Sequence, residues 1–153
     1  MNELTIRKAL LSDIPTLRQF EQGVINAERP FDPTLKKGDI FYYDLEGMIA
    51  ADHVELIVAE LNGEIIGSGY ARIEKAKHYL QHPEHSYLGF MFVLPTHRGK
   101  GVNKKIIDAL AAWSLSQNIK ELRLDVYQNN IAAIAAYEKS GFIKHMIEMR
   151  KGL

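Results

Sequence analysis

An almost wholly apolar run, Tyr87 to Val93 (YLGFMFV), leads through a turn with two glycines into a segment of helical spacing, Val102 to Gln117. The run reads as a buried central strand. Ile106, Ile107, Leu110, Ala111 and Leu115 give the following segment one apolar side. Between them stand Arg98, Gly99, Lys100, Gly101, Val102 and Asn103. Glycine permits positive φ and lets a ligand approach with no Cβ in the way. The first N–H groups of a helix lack internal partners and carry the positive end of its dipole. A strand, a glycine turn and a helix start therefore make an anion site suited to phosphate. Arg98 and Lys100 add full charges, with Lys104 and Lys105 close by.

The rest of the chain reads as elements around this unit. Leu4 to Lys8 is a short first strand. Ser12 or Asp13 caps a helix with Pro15 in its first turn and Leu17 and Phe20 on its apolar side. Pro30 and Pro33 break the chain, and Thr34 to Ala50 reads as partly helical. Val54 to Leu61 and Glu64 to Glu74 are strands joined by Asn62-Gly63, a dipeptide suited to a tight hairpin. Lys75 to Glu84 is a polar loop, and Gly89 is expected to mark a bulge in the strand after it. Leu122 to Val126 is a strand, Asn130 to Lys139 a short helix, Gly141 its C-cap, and Phe142 to Arg150 a closing strand. The order β-α-α-β-β-β-α-β-α-β predicts one α/β domain over residues 1–153, with strands of mixed direction.

Composition removes several functions. Lys plus Arg and Asp plus Glu each number 19, so a nucleic-acid partner is not expected. The chain has no cysteine, which excludes disulfides, thiolate metal sites and cysteine nucleophiles. The opening MNELTIRKALLSDIP lacks a signal-peptide pattern, and no window approaches the roughly 20 apolar residues of a membrane helix. A cytoplasmic protein with no membrane partner is expected. His78, His82 and His85 have a suggestive spacing, but Pro83 interrupts any helix that would align them. They read as part of a solvated loop, and no metal is expected.

Two phosphate signatures fail on inspection. A Walker loop needs Ser or Thr after Gly-Lys, and Gly101 follows Lys100. A dinucleotide fingerprint needs a third glycine where Lys104 stands, and Gly67-Ser68-Gly69 fails likewise at Arg72. Arg98-x-x-Gly101-x-x instead resembles the (Arg/Gln)-x-x-Gly-x-(Gly/Ala) signature of the GNAT acetyltransferases, departing from it at Asn103. A second stretch, Asn130-x-x-Ala133-x-x-x-Tyr137-Glu138-Lys139-x-Gly141-Phe142, resembles that family's second cofactor-side motif.

The resemblance implies a mostly antiparallel sheet whose central strands splay apart, with flanking helices. It implies acetyl-CoA as co-substrate and N-acetyl transfer to a primary amine by direct attack. Residues 98–103 would hold the pyrophosphate. The pantetheine arm would enter the gap and pair with Met91, Phe92 and Val93. Asn130 would contact pantetheine or position the following helix, with Ala133 beside it, and Tyr137 would protonate the leaving thiolate. Many relatives carry a carboxylate base on the strand that here runs from His85 to Val93. This strand has none, which leaves His85, Tyr87 or a water chain as candidates. Asp32, Asp39, Asp44, Glu46 and Asp52 lie among Phe31, Phe41, Tyr42 and Tyr43, a mixture suited either to a cationic acceptor or to a solvated helix face. The acceptor is a small molecule or a peptide. A homodimer would follow if Phe142 to Arg150 is an exposed strand. The alternatives are a non-catalytic acyl-CoA-binding module and a phosphoprotein- or nucleotide-binding domain.

Overall fold

The structure is a computed structural model that describes residues 3–153. Strands β1 (Leu4–Lys8), β2 (Val54–Leu61), β3 (Glu64–Lys75), β4 (Glu84–Val93) and β5 (Leu122–Arg123) form one sheet in chain order. β1 to β4 pair antiparallel, and β5 lies parallel to β4. A parallel neighbour requires a crossover, and helix α3 (Val102–Ser116) supplies it. Helices α1 (Ile14–Glu28) and α2 (Leu45–Ala50) precede β2, and α4 (Ile131–Lys139) follows β5.

Alternation along β2 shows why the sheet is covered twice. Leu56 and Val58 pack with Leu17 and Phe20 of α1 and Leu45 of α2. Ile57 and Ala59 point the other way, toward Ile106 and Leu110 of α3. Gly67 and Gly69 let α3 lie close, since a Cβ at Gly69 would stand 2.7 Å from the Ile106 side chain. The failed dinucleotide pattern is thus a helix-docking groove. Among the described residues, no helix is long and apolar enough to cross a membrane.

Three sequence expectations change. Asp13 stands before α1, but its carboxylate accepts from Leu10 N at 2.7 Å and from Arg7 at 2.8 Å rather than capping the helix. The strand expected over Leu122 to Val126 pairs only at Leu122–Arg123. Phe142 to Arg150 makes no strand at all. A strand exists through its neighbour's hydrogen bonds, and among the described residues this segment is held near its ends. Phe142 packs on the α3-side core, and Arg150 pairs with Asp32 at 3.2 Å.

The region from Gly23 to Asp52, which has no recognisable motif, is organised by a buried carboxylate. Glu21 of α1 is fully buried. One of its oxygens accepts from the backbone N–H of Tyr42 at 2.7 Å and of Tyr43 at 2.8 Å. The other meets the Arg18 guanidinium at 3.2 Å. Glu21 therefore fastens the loop after α1 to the helix, and Tyr43 then stacks on Phe90 of β4 at 4.4 Å. Removing the carboxylate strands two buried donors and a cation. Glu21→Ala is expected to lower unfolding free energy by about 3 kcal/mol in urea titration. A loss within 0.5 kcal/mol, roughly what surface substitutions cost, would deny Glu21 this role.

Candidate active site

The site begins where β5 leaves β4. The two strands pair only at Ser86–Leu122 and Tyr87–Arg123. From Leu88 to Val93 the β4 backbone has no strand on that side among the described residues. The contact itself is well tied. Ser86 N donates to Glu121 O at 3.0 Å, and the buried Ser114 hydroxyl of α3 donates to the Ser86 hydroxyl at 2.7 Å.

A bulge then redirects β4. Ser68 pairs with Phe92 but Tyr70 with Gly89, so β4 carries one extra residue there. Phe90 takes the strained position, with φ of 54°, and the Ser68 hydroxyl fixes it by donating to Phe90 O at 2.9 Å. The bulge is therefore centred one residue beyond the expected Gly89. Gly89 has a packing task instead, since a Cβ there would lie 2.4 Å from the Tyr70 ring. Met91, Phe92 and Val93 follow, beside the opened gap.

β4 runs into the glycine turn. Gly99 and Gly101 have φ of 76° and 82°, and Gly101 is the N-cap of α3. No side chain caps that helix start, so the N–H groups of Val102, Asn103 and Lys104 face the turn as donors. Arg98 ties the turn to the strand: its Nε donates to Val93 O at 2.8 Å and its guanidinium lies over the Phe92 ring. Lys104 pairs with Asp108 at 2.7 Å, and Lys100 and Lys105 are exposed beside the turn.

Helix α4 brings the second set. The Asn130 side chain accepts from Ala133 N at 3.2 Å, so it positions the helix as its N-cap. At the other end Gly141 has φ of 95°, and Phe142 N donates to Tyr137 O. Phe142 packs on the cluster that contains Val93 and Val102, which joins α4 to the ends of β4 and α3. Tyr137 is half-buried with its ring edge-on to Phe142, and burial raises its hydroxyl above the ordinary tyrosine pKa. It is protonated at neutral pH and able to give a proton.

The two base candidates sit in different surroundings. His85 is buried near the start of β4, with Nε2 3.4 Å from Glu74 and Nδ1 without a partner. It precedes Met91 by six positions, about 20 Å of strand. Near it, His82 lies 3.1 Å from Glu121, and ligand atoms of His82, His85 and Glu121 come within 4.8 Å of one another. The cation position beside Glu121 is already filled by the Arg123 guanidinium, 2.6 Å away.

Tyr87 lies where β5 departs, and its hydroxyl donates to Asp125 at 3.1 Å. Burial, then the charge of Asp125, raises the Tyr87 pKa, so the carboxylate is the proton acceptor of the pair. Continuing the parallel register from Tyr87–Arg123 sets Asp125 level with Gly89, one residue before the bulge. Asp125 was not among the sequence candidates, because a carboxylate was sought on β4 alone. The cue lies in the parallel pairing, which brings the residue after the next strand to the same height.

On the α1 side stand further acids and rings. Tyr42 donates to Glu28 at 2.8 Å, and burial raises the Glu28 pKa. Phe31 stacks on Tyr127 at 5.9 Å, and Thr34 and Arg150 hold the Asp32 pKa below its usual value. Of the acids expected to face an acceptor, Asp32 joins this group, whereas Asp44 caps α2 through Gly47 N.

Comparison with known proteins agrees with this geometry. The profile of the Acetyltransferase (GNAT) family matches residues 22–142. An aminoglycoside N(6')-acetyltransferase type 1 of Stenotrophomonas maltophilia is 26% identical over 142 residues, 90% of this chain and 85% of that protein. A protein of Clostridium acetobutylicum solved with acetyl-CoA superposes with a TM-score of 0.73 at 20% identity, covering 97% of this chain and 96% of the other. The glucosamine-6-phosphate N-acetyltransferase of Arabidopsis thaliana gives 0.71 at 23% identity and 98% coverage of both. The family model spans most of the chain, and the chain is a member of the GNAT acetyltransferase family.

Proposed function

We propose that this chain transfers the acetyl group of acetyl-CoA to a primary amine of a small molecule. The reading is carried by one observation: the unpaired β4 backbone runs directly into the uncapped, glycine-rich start of α3. Pantetheine pairs with Met91 to Val93 as a strand would. The pyrophosphate lies on the turn from Arg98 to Asn103, within reach of the α3 N–H groups.

The amine attacks the thioester carbonyl. An N–C bond forms, the C–S bond breaks, and the nitrogen becomes acidic as its lone pair is spent. Asp125, aligned by the Tyr87 hydroxyl, takes that proton. Backbone N–H groups at the bulge stabilise the developing oxyanion. Tyr137 gives its proton to the departing thiolate.

Two of the three named proteins are called N-acetyltransferases of an aminoglycoside and of glucosamine-6-phosphate, and the acids and rings around Tyr42, Asp125 and Tyr127 suit a cationic sugar of this type. An amino sugar is therefore the acceptor class we favour over a polyamine or a peptide. The cysteine-free chain and the need for acetyl-CoA support a cytoplasmic setting, and we propose a homodimer as the working form.

Thiol release from acetyl-CoA in the presence of amino sugars, polyamines and peptides tests the reading. Release that depends on an amino sugar is expected. CoA binding with no acceptor-dependent release would leave only a binding module, and tighter binding of ATP than of CoA in calorimetry would discard the site.

Four substitutions sharpen the roles. Asp125→Asn is expected to lower kcat by about 100-fold with acetyl-CoA affinity unchanged, and His85→Gln to lower it far less. Tyr137→Phe is expected to lower kcat by about 100-fold, again without a change in acetyl-CoA affinity. Unchanged turnover in either the Asp125 or the Tyr137 variant removes that residue from the mechanism. Gly101→Val forces a β-branched residue into positive φ at a cost of about 1–2 kcal/mol, so the Kd for CoA should rise about tenfold in calorimetry.

A further inference from the structure

His85 is buried where β4 and β5 meet, and acetyl transfer as proposed above makes no use of it. Its Nε2 faces the Glu74 carboxylate of β3 at 3.4 Å, and its Nδ1 has no hydrogen-bond partner among the described residues. A carboxylate beside one ring nitrogen favours the proton there and leaves the other nitrogen with a lone pair. A buried polar atom without a partner needs an explanation. In metal sites, a carboxylate behind a histidine is the usual device that fixes the ring and frees its second nitrogen for the ion.

The fold gathers a donor set around this ring. His82 lies in the loop before β4, and Glu121 directly precedes β5. One ring nitrogen of each histidine and one Glu121 oxygen lie within 4.8 Å of one another. His82 Nε2 is already 3.1 Å from Glu121. Zinc bonds of about 2.1 Å put neighbouring ligand atoms about 3.4 Å apart, so the groups need to close by about 1.4 Å at most. Two imidazoles and a carboxylate are a set that zinc accepts, with a water in the fourth place. His78, despite its suggestive spacing in sequence, is exposed and lies outside the group. A cation already stands against these donors. Arg123 Nε donates to Glu121 at 2.6 Å, and its Nη2 lies 3.5 Å from His82 Nε2. The Arg123 side chain is partly exposed, which leaves it room to turn to solvent.

We infer that His82, His85 and Glu121 bind a divalent metal ion of the zinc class, which takes the place of the Arg123 guanidinium. The ion joins the loop before β4, β4 itself and the start of β5, and so fastens the two-pair contact between those strands. It is a staple and takes no part in acetyl transfer. Arg123 is a built-in competitor, because guanidinium and metal cannot both occupy the position beside Glu121. Nitrogen ligands favour zinc over magnesium or calcium, which prefer oxygen.

The experiment reads metal binding rather than turnover, so it can fail independently of the proposed activity. Calorimetry of the full chain, free of any affinity tag, should show one zinc ion bound per chain from zinc chloride and none from magnesium chloride. Zinc at about 100-fold above its Kd should raise Tm by about 5 °C. It should also slow amide exchange about tenfold at Ser86, whose N–H donates to Glu121 O at 3.0 Å. His82→Gln changes a partly exposed side chain, and should weaken zinc binding by about tenfold or more while circular dichroism stays the same. His78→Gln should leave the affinity as it is. Arg123→Ala should tighten binding several-fold, which the loss of a merely structural residue would not do. No zinc binding by the wild type, equal binding of magnesium, or a Tm or Ser86 amide that ignores zinc would each overturn the inference. So would binding that survives His82→Gln or is lost in His78→Gln, or an Arg123→Ala variant that binds no tighter than the wild type.

Discussion

Everything in the site depends on how briefly β4 and β5 touch. Two residue pairs join them, Ser86–Leu122 and Tyr87–Arg123. Were the ladder to run on to Val93, β5 would consume the backbone groups that a pantetheine arm needs. The short contact is made firm by interactions outside the ladder. Ser114 of α3 reaches Ser86 across the buried interface, and Glu121 is gripped by Arg123 and His82 just before β5. The polar cluster that resembles a metal site thus works as a clamp at the closed end of the gap. The bulge at Phe90 opens the other end, held by Ser68 from β3 and by the ring of Tyr43.

The glycine turn and the start of α3 were legible in the sequence because their information is local. An apolar strand, two glycines and a helix start lie consecutively, and the chain conformation alone turns them into a row of N–H donors. Asn130 and Gly141 mark the limits of α4 for the same reason, one as a cap and the other at positive φ. The mixed sheet with parting strands matched expectation, as did the hairpin, where Asn62 and Gly63 both take positive φ.

What escaped the reading is set by contacts distant in sequence. The extra residue in β4 falls on Phe90 because Tyr70 occupies the space over Gly89, and that needs the register of β3. Asp125 becomes visible only through the parallel alignment of β5. Glu21 looks like any charged helix residue until the loop returns two N–H groups to it. For Phe142 to Arg150, the alternation of the sequence reads as a strand, but no strand among the described residues pairs with it, so none forms. A strand pattern fixes a face and a length, whereas the partner is set by contacts distant in sequence.

These two kinds of information divide the enzyme along its gap. In the proposed site, backbone atoms on the α3 side would carry recognition, so side chains there would be free to drift with little effect. Asn103 in place of a small residue is an example, since it contributes its N–H whatever its side chain does. On the α1 side the proposed acceptor pocket would rest on side chains: Tyr42, whose backbone N–H is held by Glu21, Asp125, bonded by the Tyr87 hydroxyl, and Asp32, held by Thr34 and Arg150. Glu28 is raised by burial and bonded to Tyr42. A cation bound beside it would favour its charged form and oppose that shift. Acceptor choice can therefore change through a few substitutions in the loop after α1 without disturbing acetyl-CoA. In the proposed site a fixed thioester chemistry would combine with an adjustable amine pocket, because the first is written in backbone and the second in side chains.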